Sequence, residues 1–173
     1  MAHPLEKFNY CPLCGSSRFE IHNVKSRKCQ DCGFTYYANP SSATVALIVN
    51  DKDELLAVRR KNEPAKGTLD LPGGFVDMEE TGEQGMAREV MEETGLKVTH
   101  LRFLFSLPNL YLYSGIVVHT LDMFYECQVE DLSLVHAMDD AEEYLWIPLS
   151  KIKTEEFGLL SVREGLTRYL ASR

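Results

Sequence analysis

Residues 72–96 read PGGFVDMEETGEQGMAREVMEETGL, and the second half of that stretch predicts a helix. Thr81 is a good N-cap, and Gln84 stands three residues on, the spacing of a reciprocal capping box. Met86, Ala87, Val90 and Met91 supply an apolar side. Gly95 after Thr94 suits the left-handed residue that closes a helix. On this helix Glu89, Glu92 and Glu93 lie at i, i+3 and i+4, which puts three carboxylates on one face. Like charges so close destabilise a bare helix, and two readings fit: a solvated acidic face, or a face neutralised by divalent cations. An oxygen-only donor set selects a hard ion, Mg²⁺ or Mn²⁺. Gly85 in mid-helix costs ~1 kcal/mol against Ala, and close packing is the reason the sequence offers for it.

Upstream, Thr44–Val49 is a buried-strand run, Asn50–Asp53 a turn signal and Glu54–Arg59 a second strand; together they predict a hairpin. Thr68–Leu71 is a short strand stopped by Pro72. Downstream, Leu101–Phe105, Ile116–Val118 and Leu121–Cys127 read as strands, with Cys127 a core residue. An acidic loop, 136–143, precedes Tyr144–Pro148. Apolar residues at 159, 162, 166, 169 and 170 have helical spacing. There is no internal repeat.

The first forty residues differ from the rest. They carry a net charge of +2, whereas residues 41–173 carry −10 within a chain of −8, which suggests a boundary near residue 40. The acidic part would repel a bare phosphate polymer, so nucleic acid is a disfavoured partner for it. Four of the five cysteines fall in two CxxCG knuckles, Cys11/Cys14 and Cys29/Cys32. Two such knuckles supply the four thiolates of a closed, structural zinc site. A metal suits a segment too short to bury much core of its own. The basic stretch Lys25–Lys28 is too small to establish nucleic-acid binding there. With 45% apolar and 25% charged residues the composition is globular. No run approaches the ~20 apolar residues of a membrane span, and residues 1–7 lack a signal-peptide core. A cytoplasmic location and no membrane partner are the expectation.

Gly74, Glu80 and Arg88-Glu89-Val90-Met91-Glu92-Glu93-Thr94-Gly95-Leu96 follow in the order and spacing of a complete Nudix box. The chain resembles the Nudix hydrolase family over residues 41–173, and with its four-cysteine ribbon at 1–40 it resembles the NADH (NAD-capped RNA) diphosphatase branch. The resemblance implies an α/β fold, an α/β/α sandwich around a mixed sheet with an N-terminal zinc ribbon. It implies Mg²⁺ or Mn²⁺ held by Glu89, Glu92, Glu93 and the carbonyl of Gly74, with Arg88 paired to Glu80. The general base would lie on the helix or in the late acidic loop, where Glu142 is favoured over Glu143, Asp139 and Asp140. The implied reaction is water attack on phosphorus, splitting a nucleoside diphosphate from its linked moiety (NADH, ADP-ribose, FAD or similar). A homodimer is implied as well. The branch carries a Ser-Gln-Pro-Trp-Pro-Phe-Pro type of motif after the box; this chain keeps Ser106 and Pro108 without the aromatic–proline run. Ser106, Asn109, Tyr111 and Tyr113 are the candidate substrate contacts. Alternatives are an RNA-processing hydrolase acting on NAD caps, and a nucleotide-sensing Nudix-like protein without catalysis.

Overall fold

The computed structural model describes residues 3–135 and 141–173; for Ala141 and Glu142 it describes the backbone alone. Two compact units emerge: residues 1–40 with 111–119, and residues 41–110 with 120–173.

In the first unit, β1 (Phe19–Asn23), β2 (Ser26–Cys29) and β3 (Thr35–Tyr37) form an antiparallel sheet in that order. Its small core is Cys11, Phe19 and Cys29, with Phe34 packed against them. That is little apolar surface.

In the second unit, β4 (Ser41–Leu47) runs parallel to residues 120–126 of β8 (Ile116–Val129), which neighbours β7 (Val98–Tyr113); residues 111–119, where these two strands meet, belong to the first unit. A second sheet has the order β6 (Leu69–Asp70), β5 (Glu54–Arg60), β9 (Ala141–Pro148), all antiparallel. Alternation along buried strands divides the core between two faces. Val45, Leu47, Leu55, Ala57 and Phe124 pack with Val162, Leu166 and Tyr169 of α2 (Leu160–Ala171). Ala46, Ile48, Leu56, Tyr125 and Cys127 pack with Met86 and Val90 of α1 (Gly82–Thr94). One helix therefore covers each face, the α/β/α sandwich that the resemblance implied. Cys127 is core, 3% exposed.

The hairpin predicted from 44–49 and 54–59 does not form as such. The turn is present, with Asn50 accepting the N–H groups of Lys52 and Glu54. Beyond it, one bridge, Val49 to Leu55, and one hydrogen bond, from Leu56 N–H to the Ile48 carbonyl at 2.9 Å, join the two strands. Both edges of β4 are already used. β8 takes one over its whole length. The box loop takes the other: Thr44 N–H donates to the Gly74 carbonyl at 2.8 Å, Ala46 N–H to Pro72 at 2.8 Å, and Val76 N–H to Ser42 at 3.0 Å.

The region after the box is also more regular than its composition suggests. Residues 98–113 are one strand, and it meets β8 at Ser114-Gly115. Both turn residues have positive φ, 49° and 75°, the type I′ geometry that matches strand twist.

Candidate active site

The loop 72–80 and helix α1 are locked together residue by residue. The helix starts on the predicted capping box: Thr81 Oγ1 accepts from Gln84 N–H at 3.2 Å, and Gln84 Oε1 accepts from Thr81 N–H at 2.8 Å. It ends on Gly95 at φ 71°, whose N–H donates to Met91 at 2.9 Å. Gly85 has its explanation in the loop, since a methyl group there would sit 3.2 Å from Val76 and 3.3 Å from the Glu80 carboxylate.

Arg88 is the hub. Its Nε and Nη2 grip both oxygens of Glu80 at 2.9 and 3.0 Å; Nη1 donates to Glu89 and Glu92 at 2.9 Å each; Nη2 donates also to the Phe75 carbonyl at 3.0 Å. All five guanidinium donors are thereby placed. The bonds to Arg88 hold Glu80 below the usual carboxylate range. Burial pushes Glu89 the other way, upward, against the pull of Arg88. The carboxylates raise Arg88 in turn.

Glu89 lies over Gly74, where an added Cβ would come within 2.6 Å of its carboxyl group. Glu93 accepts from Gly73 N–H at 2.9 Å. Gly73 itself has φ 142°, and a Cβ there would meet the Thr44 carbonyl oxygen at 2.1 Å, so the close run of loop past β4 requires glycine. The Gly74 carbonyl, a candidate ligand, accepts from Thr44 N–H at 2.8 Å and, more weakly, from the Thr44 hydroxyl at 3.4 Å. Three contacts escaped the sequence reading: the Gly73 N–H, the Thr44 tie, and the Tyr144 hydroxyl, which donates to the Glu93 carbonyl. The Pro72-Gly73-Gly74 run signalled the first; nothing local signalled Tyr144, 51 residues away.

The three box carboxylates share a region of one helix but not a single point. Among the described residues, the four cysteines are the one group of three or more candidate ligands whose donor atoms all lie within 4.8 Å. Two of their S–S separations are 3.7 and 3.6 Å, close to the roughly 3.8 Å set by four 2.3 Å Zn–S bonds in a tetrahedron. All five cysteines are free of disulfides. Backbone N–H donors from Cys32 and Asp31 help bring the Cys29 thiol down to about 6, whereas the neighbouring sulfurs, Cys32 first, push Cys14 up to about 12 and desolvation raises Cys32, so Cys29 is the member of the four most readily a thiolate. The cysteine quartet fits a tetrahedral metal. The box oxygens, on a pre-built loop and helix, suit a hard cation.

The remaining candidates separate. Asn109 and Tyr111 lie on the more buried side of β7, whereas Ser106 falls on the exposed side with Pro108; strand alternation keeps them from forming one pocket. Tyr111 and Tyr113 stack on each other, centroids 6.5 Å apart. Asp139, Asp140 and the Glu142 side chain lie outside the described residues. Glu143 pairs with Arg59 at 3.4 Å.

The model of the NUDIX domain matches residues 39–167. The chain is 33% identical over 106 residues to the NAD-capped RNA hydrolase NudC of Vibrio atlanticus, covering 61% of this chain and 39% of that protein. It is 34% identical over 99 residues to the protein of the same name from Shigella flexneri, covering 57% and 38%. The chain thus spans about two fifths of the length of these curated relatives. A crystal structure of a NUDIX hydrolase from Nitrosomonas europaea superposes with a TM-score of 0.73 at 22% identity, over 95% of this chain and 92% of that one, a likeness of fold. With the family model matching three quarters of its length and the box intact on its loop and helix, the chain belongs to the NUDIX domain family.

Proposed function

We propose that residues 41–173 are a metal-dependent hydrolase that splits the diphosphate of an NAD-type dinucleotide, free or as an RNA cap, by water attack on phosphorus. Residues 1–40 would be its zinc ribbon. The observation that carries this reading is the Arg88 fork, which holds Glu80, Glu89, Glu92 and the loop carbonyl of Phe75 as one rigid assembly. A solvated acidic face would need no such anchoring. The names of the curated relatives supply the substrate class.

In this reading Glu89, Glu92, Glu93 and the Gly74 carbonyl hold Mg²⁺ or Mn²⁺. Bound there, the cations would cancel diphosphate charge and make hydroxide available near neutral pH. The chain's own part is positional. Arg88 fixes two of the carboxylates, and the Gly73 N–H fixes Glu93. Gly73 and Gly74, lacking side chains, let the loop backbone approach both β4 and Glu89. Glu142 is proposed as general base from its place before Trp146. Tyr111 and Tyr113 would present aromatic faces to a base, with Ser106 and Asn109 as polar contacts. Cys11, Cys14, Cys29 and Cys32 would hold one Zn²⁺. The family resemblance supports a homodimer, and two CxxCG knuckles spaced for a metal support a cytoplasmic setting.

The test is a panel of NADH, NAD-capped RNA, ADP-ribose and FAD with Mg²⁺ or Mn²⁺ in ¹⁸O-labelled water. Turnover of a NAD-type substrate to two monophosphates, one of them labelled, is expected. Binding without turnover across the panel would overturn the hydrolase reading in favour of nucleotide sensing.

A further inference from the structure

Three of the seven arginines in residues 41–173 converge on one groove outside the box motif. Arg102 of β7 and Arg168 and Arg173 near the end of α2 line a groove of about 510 Å³, together with Phe105, Tyr169 and Glu126. A part of the chain with net charge −10 would be expected to spread its few cations as partners for carboxylates. Here they gather instead.

Two of the three have poor partners. Arg168 is 3.6 Å from Glu164, and Arg173 is 3.5 Å from Asp53, whereas every Arg88 hydrogen bond spans 2.9 to 3.0 Å. Glu126 alone makes a close pair, with Arg102. Two guanidiniums lie over rings: Arg168 is 5.0 Å from the Phe105 centroid, and Arg173 is 5.5 Å from that of Tyr169. A guanidinium resting on a ring is restrained while its N–H edge stays available for a second partner. Tyr169 adds an independent sign, because its buried hydroxyl has no hydrogen-bond partner among the described residues. Phe105 and Tyr169 belong to the core on the α2 side, whereas the box helix packs on the opposite one. The groove is therefore separate from the box carboxylates.

We infer that this groove is a second ligand site, one that takes the phosphate of a nucleotide or of pyrophosphate. Planar guanidinium forks match phosphate oxygens in pairs, and the volume lies within the range of small-molecule sites. Glu126 is the competitor that such an anion displaces from Arg102.

The test uses the zinc-loaded protein dialysed free of Mg²⁺ and Mn²⁺, so that the box carboxylates repel phosphate. Calorimetric titration with AMP, with pyrophosphate and with adenosine should show one equivalent of a phosphate-bearing ligand and no binding of adenosine; the tighter of the first two identifies the source. The double variant Arg102→Gln/Arg168→Gln should bind at least about tenfold more weakly, the effect of losing charge-assisted hydrogen bonds, with melting temperature and Mg²⁺-dependent turnover retained. Glu126→Gln should bind several-fold more tightly, since it frees Arg102 and removes a negative charge. A purely structural ion pair would give no such gain. Absence of phosphate binding, adenosine binding equal to AMP, or unchanged affinity in the double variant would overturn the inference.

Discussion

Glu80 and Glu89 hang on the same guanidinium, yet their environments push them in opposite directions, and that opposition is measurable. Hydrogen bonds from Arg88 lower Glu80 from its ordinary 4.5. Its contribution to stability is present above that value and is lost as pH falls below it. Burial raises Glu89, so its ionised form is disfavoured in the fold, and protonation as pH falls through the raised value stabilises the protein. In buffer free of divalent cations, Glu80→Gln should lower the denaturation midpoint at neutral pH and flatten its decline between about pH 5 and 3. Glu89→Gln should hold or raise the midpoint at neutral pH. A loss of more than about 1 kcal/mol in Glu89→Gln, the upper range of a typical surface ion pair, would mean that the pair with Arg88 outweighs the cost of burial. Urea titrations at stepped pH decide both.

At the level of elements, the ends of the box helix are legible in neighbouring residues, whereas strand pairing that depends on distant partners is not. The bounds of the box helix follow from Thr81, Gln84 and Gly95, all within one turn of its ends. The pairing of 44–49 with 54–59 depended on which chain occupied each edge of β4, and β8 lies some eighty residues away. Ser106, which the chain shares with the branch motif, and Asn109 stand three residues apart, but a continuous β7 sends them to opposite faces. Glycines illustrate the same divide. Gly165 breaks the propensity of α2 for no local reason, yet a Cβ there would fall 2.3 Å from the Phe124 ring. Gly165→Ala should therefore destabilise by about 1–3 kcal/mol, as overpacked cores do, despite the ~1 kcal/mol gain in helix propensity. A thermal melt that rises would show that helix and ring separate freely.

For the molecule as a whole, the proposed zinc would be a second source of order beside the apolar core. Residues 41–110 with 120–173 bury a two-sided core; the ribbon buries little beyond Cys11, Phe19 and Cys29. Metal removal should act on the two unequally. Elemental analysis of the dialysed protein is expected to give one zinc per chain, and Cys29→Ser to abolish it. Hydrogen exchange should then rise across residues 11–37 while α1 and the β4–β8 pair stay protected. Four alkylatable thiols in freshly purified, metal-free protein with an unaltered ribbon would refute the zinc assignment.

The proposal that the box is the catalytic cation site is tested most directly by NADH hydrolysis in wild type and Glu93→Gln across a Mg²⁺ titration. Glutamine keeps an oxygen to accept from Gly73 N–H and removes one negative charge, so the fold should persist. The rate should fall by about 10²–10⁴, equivalent to ~3–5 kcal/mol of barrier, with the steepest loss at low Mg²⁺. Wild-type rates in Glu93→Gln at limiting Mg²⁺ would contradict it.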